Sequence, residues 1–337
     1  MNKFGIMATS FSLKSESGSL NLPALKLRCP SCAAELGNME EILTEAKACR
    51  SCGNRITLTD GIARALSPEG RKRYTRFLDE YSKIRHAEGR GSENPGYYMA
   101  LPYRDLSGKH AEQWAIRGES YRYFQERILP QFEKDKSPLD ILDLGAGNGW
   151  MSYRLALRKH RPVAIDILTD PLDGLGAARH YHALLDERFP LVEAEFDRMP
   201  FSDSQFDLAI FNSSLHYSTN YHRTLKEARR CLRPGGRIVI LDSPVYKKRE
   251  HGERMLAERH REFQARYGFR SDSIPSAEFL HEAALEELAD FLGVRWKTYK
   301  PWYGWTWFLR PWKARLSGRR PPSRFWILLS ETTDEHR

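Results

Sequence analysis

No stretch of this sequence approaches the roughly 18 consecutive apolar residues that would span a bilayer. The opening segment, MNKFGIMATSFSLKSESGSLNLPA, has no continuous apolar h-region, so a secretory signal is not expected, and residues 1–24 read as a disordered, Ser-rich lead. A cytoplasmic location is the expectation. Acid is in deficit as well: 44 Asp and Glu stand against 53 Lys and Arg, a net charge of +9. That balance favours acidic partners, nucleic acid or an anionic membrane face, and carries no information about fold. Hydrophobic residues make up only 41% of the 337, but aromatics at 12% supply bulk for a core. The length admits one large domain or two.

Cysteine is sparse, and its placement is informative. Four of the five residues form two pairs, Cys29–Cys32 and Cys49–Cys52, in the pattern C-x2-C-x16-C-x2-C. The gap lies inside the window of about 15–20 residues that separates zinc-ligand pairs. Disulfides are disfavoured without a secretory signal. Four thiolates close a tetrahedron around Zn2+, so the metal's role is structural. Residues 25–66 therefore read as a small zinc ribbon that depends on its metal to fold. Cys231, within LKEARRCL, reads as a small buried residue.

Beyond the ribbon, Ser67-Pro68-Glu69 opens a helix with Ser as cap, and Tyr74, Phe77, Leu78 and Tyr81 form its apolar stripe. GRGSENPG, residues 89–96, reads as a linker, and a second helix from near Ser107 places Trp114, Tyr121, Phe124 and Ile128 on one face. Residues 67–137 thus form a helical linker with lid helices. From Pro138, strand-like runs at 139–144, 162–167, 191–196, 206–212 and 237–242 alternate with helical patterns at 149–160, 172–189 and 221–232. Such alternation means βαβ units and an α/β fold with a mainly parallel sheet. A very basic amphipathic helix at 246–267 sits in a helical insertion at 246–275, and a further helix covers 277–292. VRWKTYKPWYGW and SRFWILLS are expected to supply strands six and seven.

The stretch LDILDLGAGNGW, residues 139–150, ends a strand in alternating glycines and runs into a helix. Glycine lets a ligand lie against the main chain, and a helix N-terminus offers free N–H groups. A nicotinamide dinucleotide is one occupant to weigh, but its fingerprint would put a third glycine where Trp150 stands. Asp143 also sits badly beside a pyrophosphate and well beside an ammonium group. An amino acid joined to adenosine fits better.

Residues 138–243 resemble the class I S-adenosylmethionine-dependent methyltransferases, especially the group with the ubiquinone and menaquinone C-methyltransferases. LDLGAGNG, VAIDI, EFDRMPFSDSQFDLAIFNSSLHY and LKEARRCLRPGGRIVILD carry the likeness. It implies a Rossmann-like seven-stranded sheet with helices on both faces, the last strand antiparallel, over residues 138–337. By the same resemblance Gly145, Ala146, Gly147 and Gly149, with Asn148, line the methionine and ribose portion, and Asp143 lies near the ammonium. Asp166, with Ile167 beside it, holds the ribose hydroxyls. Glu195 contacts adenine with Phe196, where the family commonly has Asp-Ala, and Asn212 through Leu215 lie beside the reactive methyl. The cysteine segment is similar to the short zinc-ribbon proteins that activate RNA and protein methyltransferases, and ribosomal-RNA guanine methyltransferases with a zinc finger are a second parallel.

Methyl transfer is an in-line displacement that needs alignment and a dry pocket, and a base only for a weakly acidic acceptor. His216 is the candidate base, with substrate shaping as its other reading; Tyr217 and His110 are weaker candidates, and Trp114 and Arg117 are candidates to cover the cofactor, with helix packing and surface charge explaining them as well. A small-molecule acceptor is the leading expectation. RNA is the alternative, since Lys313, Arg315, Arg319, Arg320 and Arg324 interleave with Trp305, Trp307 and Trp312. A lipid-linked acceptor at a membrane surface is another, and a solvated loop explains the same segment. No acid-Pro-Pro-aromatic signature follows the fourth strand, which disfavours methylation of DNA base amines. A regulatory subunit without turnover is opposed by the intact glycine turn and Asp166.

Overall fold

The structure, a computed structural model, describes residues 25–332; the lead expected over 1–24 lies outside the described residues. The chain enters through a hairpin of β1 (Lys26–Arg28) and β2 (Glu35–Asn38), then α1 (Met39–Thr44), β3 (Lys47–Ala48), β4 (Arg55–Thr59) and β5 (Ile62–Arg64). Here the structure departs from a free-standing ribbon. β5 pairs in parallel with β8 (Leu191–Glu193), so the ribbon extends the main sheet. Leu25, Leu27, Ile42 and Ile56 are buried in the same cluster as Val163, Ile165 and Phe211, which gives the ribbon a core it is too small to build alone.

Ser67 Oγ accepts from Gly70 N at 3.0 Å and starts α2 (Pro68–Ala87) as its sequence implies. The segment read as linker already turns into α3 (Pro95–Ala100), with Pro95 at its first position. α4 (Ala111–Tyr123) starts four residues later than expected and passes through a wide turn at Phe124–Ile128 into α5 (Leu129–Glu133), where Pro130 withholds its N–H. β6 (Asp140–Leu144), α6 (Trp150–Leu157) and β7 (Arg161–Asp166) follow closely. The helix expected over 172–189 shrinks to a short turn at Leu175–Ala178 and α7 (Arg179–His182). Gly174 lies so near the backbone of Leu168 and Asp170 that an added Cβ would fall 2.6 Å from each, and Asp170 Oδ1 accepts from Leu172 and Asp173 N. A regular helix has no room there.

After β8 come β9 (Phe206–Asn212), α8 (Tyr221–Cys231), β10 (Leu232–Leu241), β11 (Pro244–Tyr246), α9 (Arg249–Tyr267), β12 (Leu280–His281), α10 (Glu282–Leu292) and β13 (Val294–Tyr299). The segment read as loop holds α11 (Trp305–Phe308) and α12 (Arg310–Leu316), and β14 (Arg324–Phe325) and β15 (Ile327–Thr332) end the described chain. The sheet order is β13-β15-β10-β9-β6-β7-β8-β5-β4-β3, in which seven strands carry the expected Rossmann-like topology and three come from the ribbon. β15 runs antiparallel to both neighbours, as expected of the last strand. Alternate residues face opposite sides: Leu142 and Leu144 enter one core cluster, Ile141 and Ala164 the other. Strand order reverses between β6 and β9, and in open α/β sheets that switch point opens the ligand crevice at the strands' carboxyl ends.

Candidate active site and cysteine cluster

β6 delivers its chain into the crevice through Gly145 and Gly147, both left-handed, with φ of +76° and +54°. The turn is pinned to the next strand. Gly145 and Ala146 N both donate to Ile165 O, and Gly147 N donates to Asp166 Oδ2 at 2.8 Å. Ser214, after β9, presses against the turn so closely that a Cβ on Gly145 would lie 2.3 Å from Ser214 Cβ. Gly147 faces open space. Gly149 differs from its expectation: a Cβ there would meet Ala178 and Phe189, so it serves packing beneath α6 and does not line the cavity.

The cavity holds about 1240 Å³ counting its open mouth. Asp143, Gly145, Ala146, Gly147, Asn148, Asp166, Ile167, Glu195, Phe196 and Asn212 all line it. Leu215 does not; it is fully buried in the core behind. Asp143 Oδ2 accepts from Ser152 Oγ at 2.7 Å, and burial pushes its carboxyl up to about 7. Burial raises Asp166 as well, although the N–H groups of Leu168 and Gly147 oppose the shift. Asp143 Oδ1, Glu195 Oε1 and Asn212 Oδ1 are buried and unpartnered, while Arg73 holds the other oxygen of Glu195. Buried acceptors of this kind are costly until a donor arrives. Three converge here, and they suit a ligand rich in N–H and O–H groups.

The same cavity also holds a cation. Arg117 lines the cavity from α4, its Nη2 3.2 Å from Ser213 Oγ and its guanidinium 4.9 Å above the Trp114 ring. Burial pulls its pKa down, and no carboxylate ion-pairs with it among the described residues. A half-buried guanidinium without an ion-pair partner suits an anion. Trp114 lines the same wall.

Beside polar groups such as Arg85, Asp173 and Asp197, the rest of the cavity has a large apolar wall. α2, in the region read as lid helices, contributes its apolar stripe of Tyr74, Phe77, Leu78 and Tyr81, joined by Tyr217 and Ile274. Phe77 and Tyr81 stack with centroids 5.5 Å apart, and Tyr217 meets Tyr81 edge-on at 6.0 Å. Three aromatics within eight residues, directly after the ribbon, are the signal that marks this stripe. His216 does not reach the cavity. Burial, then Arg259 and Arg117, pull its pKa down to about 3, and its ring packs 4.4 Å from that of Tyr217. His110 is also elsewhere, with Nε2 3.1 Å from Glu88 O.

At the chain's other end the four cysteine sulfurs all lie within 4.8 Å of one another. Cys29 Sγ is 3.5 Å from Cys52 Sγ, and Cys32 Sγ is 3.5 Å from Cys49 Sγ. Two matching knuckles produce this. Ala33 N donates to Cys29 O and Gly53 N to Cys49 O, each at 2.8 Å, and both donors have positive φ. With Zn–S bonds of about 2.3 Å the sulfurs of a tetrahedron stand about 3.8 Å apart, so the thiols present fit zinc.

Residues 142–240 match the family described as "Methyltransferase domain". The chain is 32% identical over 133 residues to the ubiquinone/menaquinone biosynthesis C-methyltransferase of Rhodopseudomonas palustris, covering 38% of this chain and 52% of that protein. It is 31% identical over 101 residues to the sterol 4-C-methyltransferase of Caenorhabditis elegans, 30% of either chain. It thus spans about half or less of the curated relatives it matches. Among solved structures, the 1,6-didemethyltoxoflavin-N1-methyltransferase of Burkholderia thailandensis is 17% identical, covers 86% of this chain and 100% of its own, and gives a TM-score of 0.47.

Proposed function

We propose that this chain, a class I S-adenosylmethionine-dependent methyltransferase by its sheet and by the family it matches, methylates a small-molecule acceptor held against α2. The observation that carries the reading is one cavity lined together by a bare glycine turn, the buried carboxyls of Asp143 and Glu195 and the half-buried guanidinium of Arg117. S-adenosylmethionine supplies an electrophilic methyl on a sulfonium with a neutral leaving group. Its charged end needs an acid and a base pair of its own, and Asp143 and Arg117 offer these to ammonium and carboxylate. Asp166 retains free lone pairs for ribose hydroxyls beside its two backbone bonds. Glu195 Oε1 and the Phe196 ring are the adenine-side candidates.

The acceptor's side is the wall of Phe77, Tyr81, Tyr217 and Ile274, which excludes water and suits a flat or apolar molecule. No histidine lines the cavity among the described residues. A base for the acceptor would thus come from a carboxylate or tyrosine of the wall, such as Asp197 or Tyr217, unless the acceptor is an amine or an already acidic carbon or hydroxyl, and His216 supports Tyr217 from behind. RNA and lipid-linked acceptors fit this narrow aromatic wall less well. Zinc, held by Cys29, Cys32, Cys49 and Cys52, would lock the ribbon that starts α2. Titration calorimetry with S-adenosylhomocysteine tests the reading: Asp166→Ala is expected to weaken binding about tenfold to a hundredfold. Unchanged affinity would remove the assignment.

A further inference from the structure

Exposed large apolar side chains are mostly scattered on this protein, with one exception. Six of the twelve among the described residues fall between Trp302 and Leu316. Trp305 is 70% exposed, Trp312 63% and Leu316 87%, and Phe308 and Leu309 complete the stripe. Their spacing runs along one side of α11 and α12. The opposite side is fastened to the body: Trp307 stacks on Phe325 at 5.3 Å, Arg310 lies 3.7 Å over Trp307, and Tyr303 OH bonds to Phe325 O at 2.9 Å. A contiguous apolar ridge on a firmly held support marks an interaction surface.

Charge identifies what it meets. From Phe291 to Ser330 the chain has no acid and nine Lys or Arg. Arg320 and Arg324 are ion-paired to Glu258 and Glu282, whereas Lys313, Arg315 and Arg319 have no ion-pair partner among the described residues. We propose that α11 and α12 form a docking ridge for an anionic lipid surface, with Trp305, Trp312 and Leu316 entering the headgroup–acyl boundary and the free cations beside them meeting phosphate. The geometry favours lipid over RNA. Base stacking needs open ring faces, but Trp305 packs edge-to-face on Trp302 at 5.2 Å and on Phe308 at 5.9 Å, and Trp302 and Phe308 meet at a tilt, 5.6 Å apart. Leu309 and Leu316 offer nothing to a base and fit hydrocarbon. The ridge stands apart from the cavity and does not depend on methyl transfer.

Flotation of the full chain with phosphatidylcholine vesicles, with and without phosphatidylglycerol, tests the proposal. Three free cations predict anionic vesicles bound on the order of a hundredfold more tightly at low salt. The triple variant Trp305→Ser, Trp312→Ser, Leu316→Ser alters only exposed positions and should lose binding at least about tenfold with its melting temperature unchanged. Lys313→Gln with Arg315→Gln should reduce only the preference for anionic vesicles. Failure to float, or flotation indifferent to the triple variant, overturns the proposal. So does salt-sensitive retention of RNA, or self-association, that the triple variant abolishes while no vesicle is bound.

Discussion

Asp143 offers a measurement that separates a cofactor's counter-ion from a structural acid. Its carboxyl has no accessible surface, keeps one oxygen unpartnered, and is pushed by burial from 3.8 up to about 7. Between those pH values the folded chain binds a proton that the unfolded chain has lost, so this group costs stability as pH rises through that window. The gap corresponds to about 4 kcal/mol at about 1.36 kcal/mol per pH unit, fully felt above about pH 7. An ammonium seated against Asp143 reverses the preference and favours the carboxylate. At pH 6 about one protein in ten carries the charge beforehand, so the Kd for S-adenosylhomocysteine should be about tenfold weaker than at pH 8, with about one proton released on binding. Titration calorimetry in buffers of different ionisation enthalpy reads both. Asp143→Asn should gain a few kcal/mol of stability at pH 8, gain little at pH 4, and lose the pH dependence along with most of the affinity. A wild-type Kd that is flat from pH 6 to 8 without proton release would refute the reasoning.

Two glycines should fail differently. Gly145→Ala places a Cβ 2.3 Å from Ser214 Cβ at φ +76° and should cost about 2–4 kcal/mol in urea unfolding. Gly147→Ala meets nothing within 4 Å, so it should cost about 1 kcal/mol while weakening S-adenosylhomocysteine at least about tenfold, because its new methyl enters the cavity. Native mass spectrometry should find one zinc per chain. Its removal, or Cys29→Ser, should lower a single cooperative melt by about 10 °C and weaken cofactor binding in step. A separate low-temperature ribbon transition, with the main melt unmoved, would contradict the shared core.

The sheet was legible because its strands are short continuous apolar runs divided by turn residues, and 206–212 matches β9 residue for residue. The ribbon's place in that sheet was not, since strand pairing between segments far apart leaves no periodic trace: Ile62–Arg64 reaches Leu191–Glu193 only in three dimensions. Within the site, the glycine turn and Asp166 lie where local pattern puts them, because one strand-turn-helix unit fixes both. His216 and Leu215 are adjacent to cavity residues in sequence, but the short turn at Leu215–Tyr217 aims only Tyr217 inward. Arg117 and Trp114, candidates to cover the cofactor, do line the cavity, whereas the α2 aromatics come from outside the core motif, where an apolar stripe looks the same whether it meets other side chains or a ligand.

The ribbon's attachment changes how the sheet ends. Strand margins invite pairing by other chains, and natural proteins blunt them. On one side β5, β4 and β3 taper to the two-residue Lys47–Ala48, and on the other β13 presents Arg295 and Lys297. The berth beside β8 is filled by β5 of the same chain, so a strand from another chain could join the sheet only beyond β3 or β13.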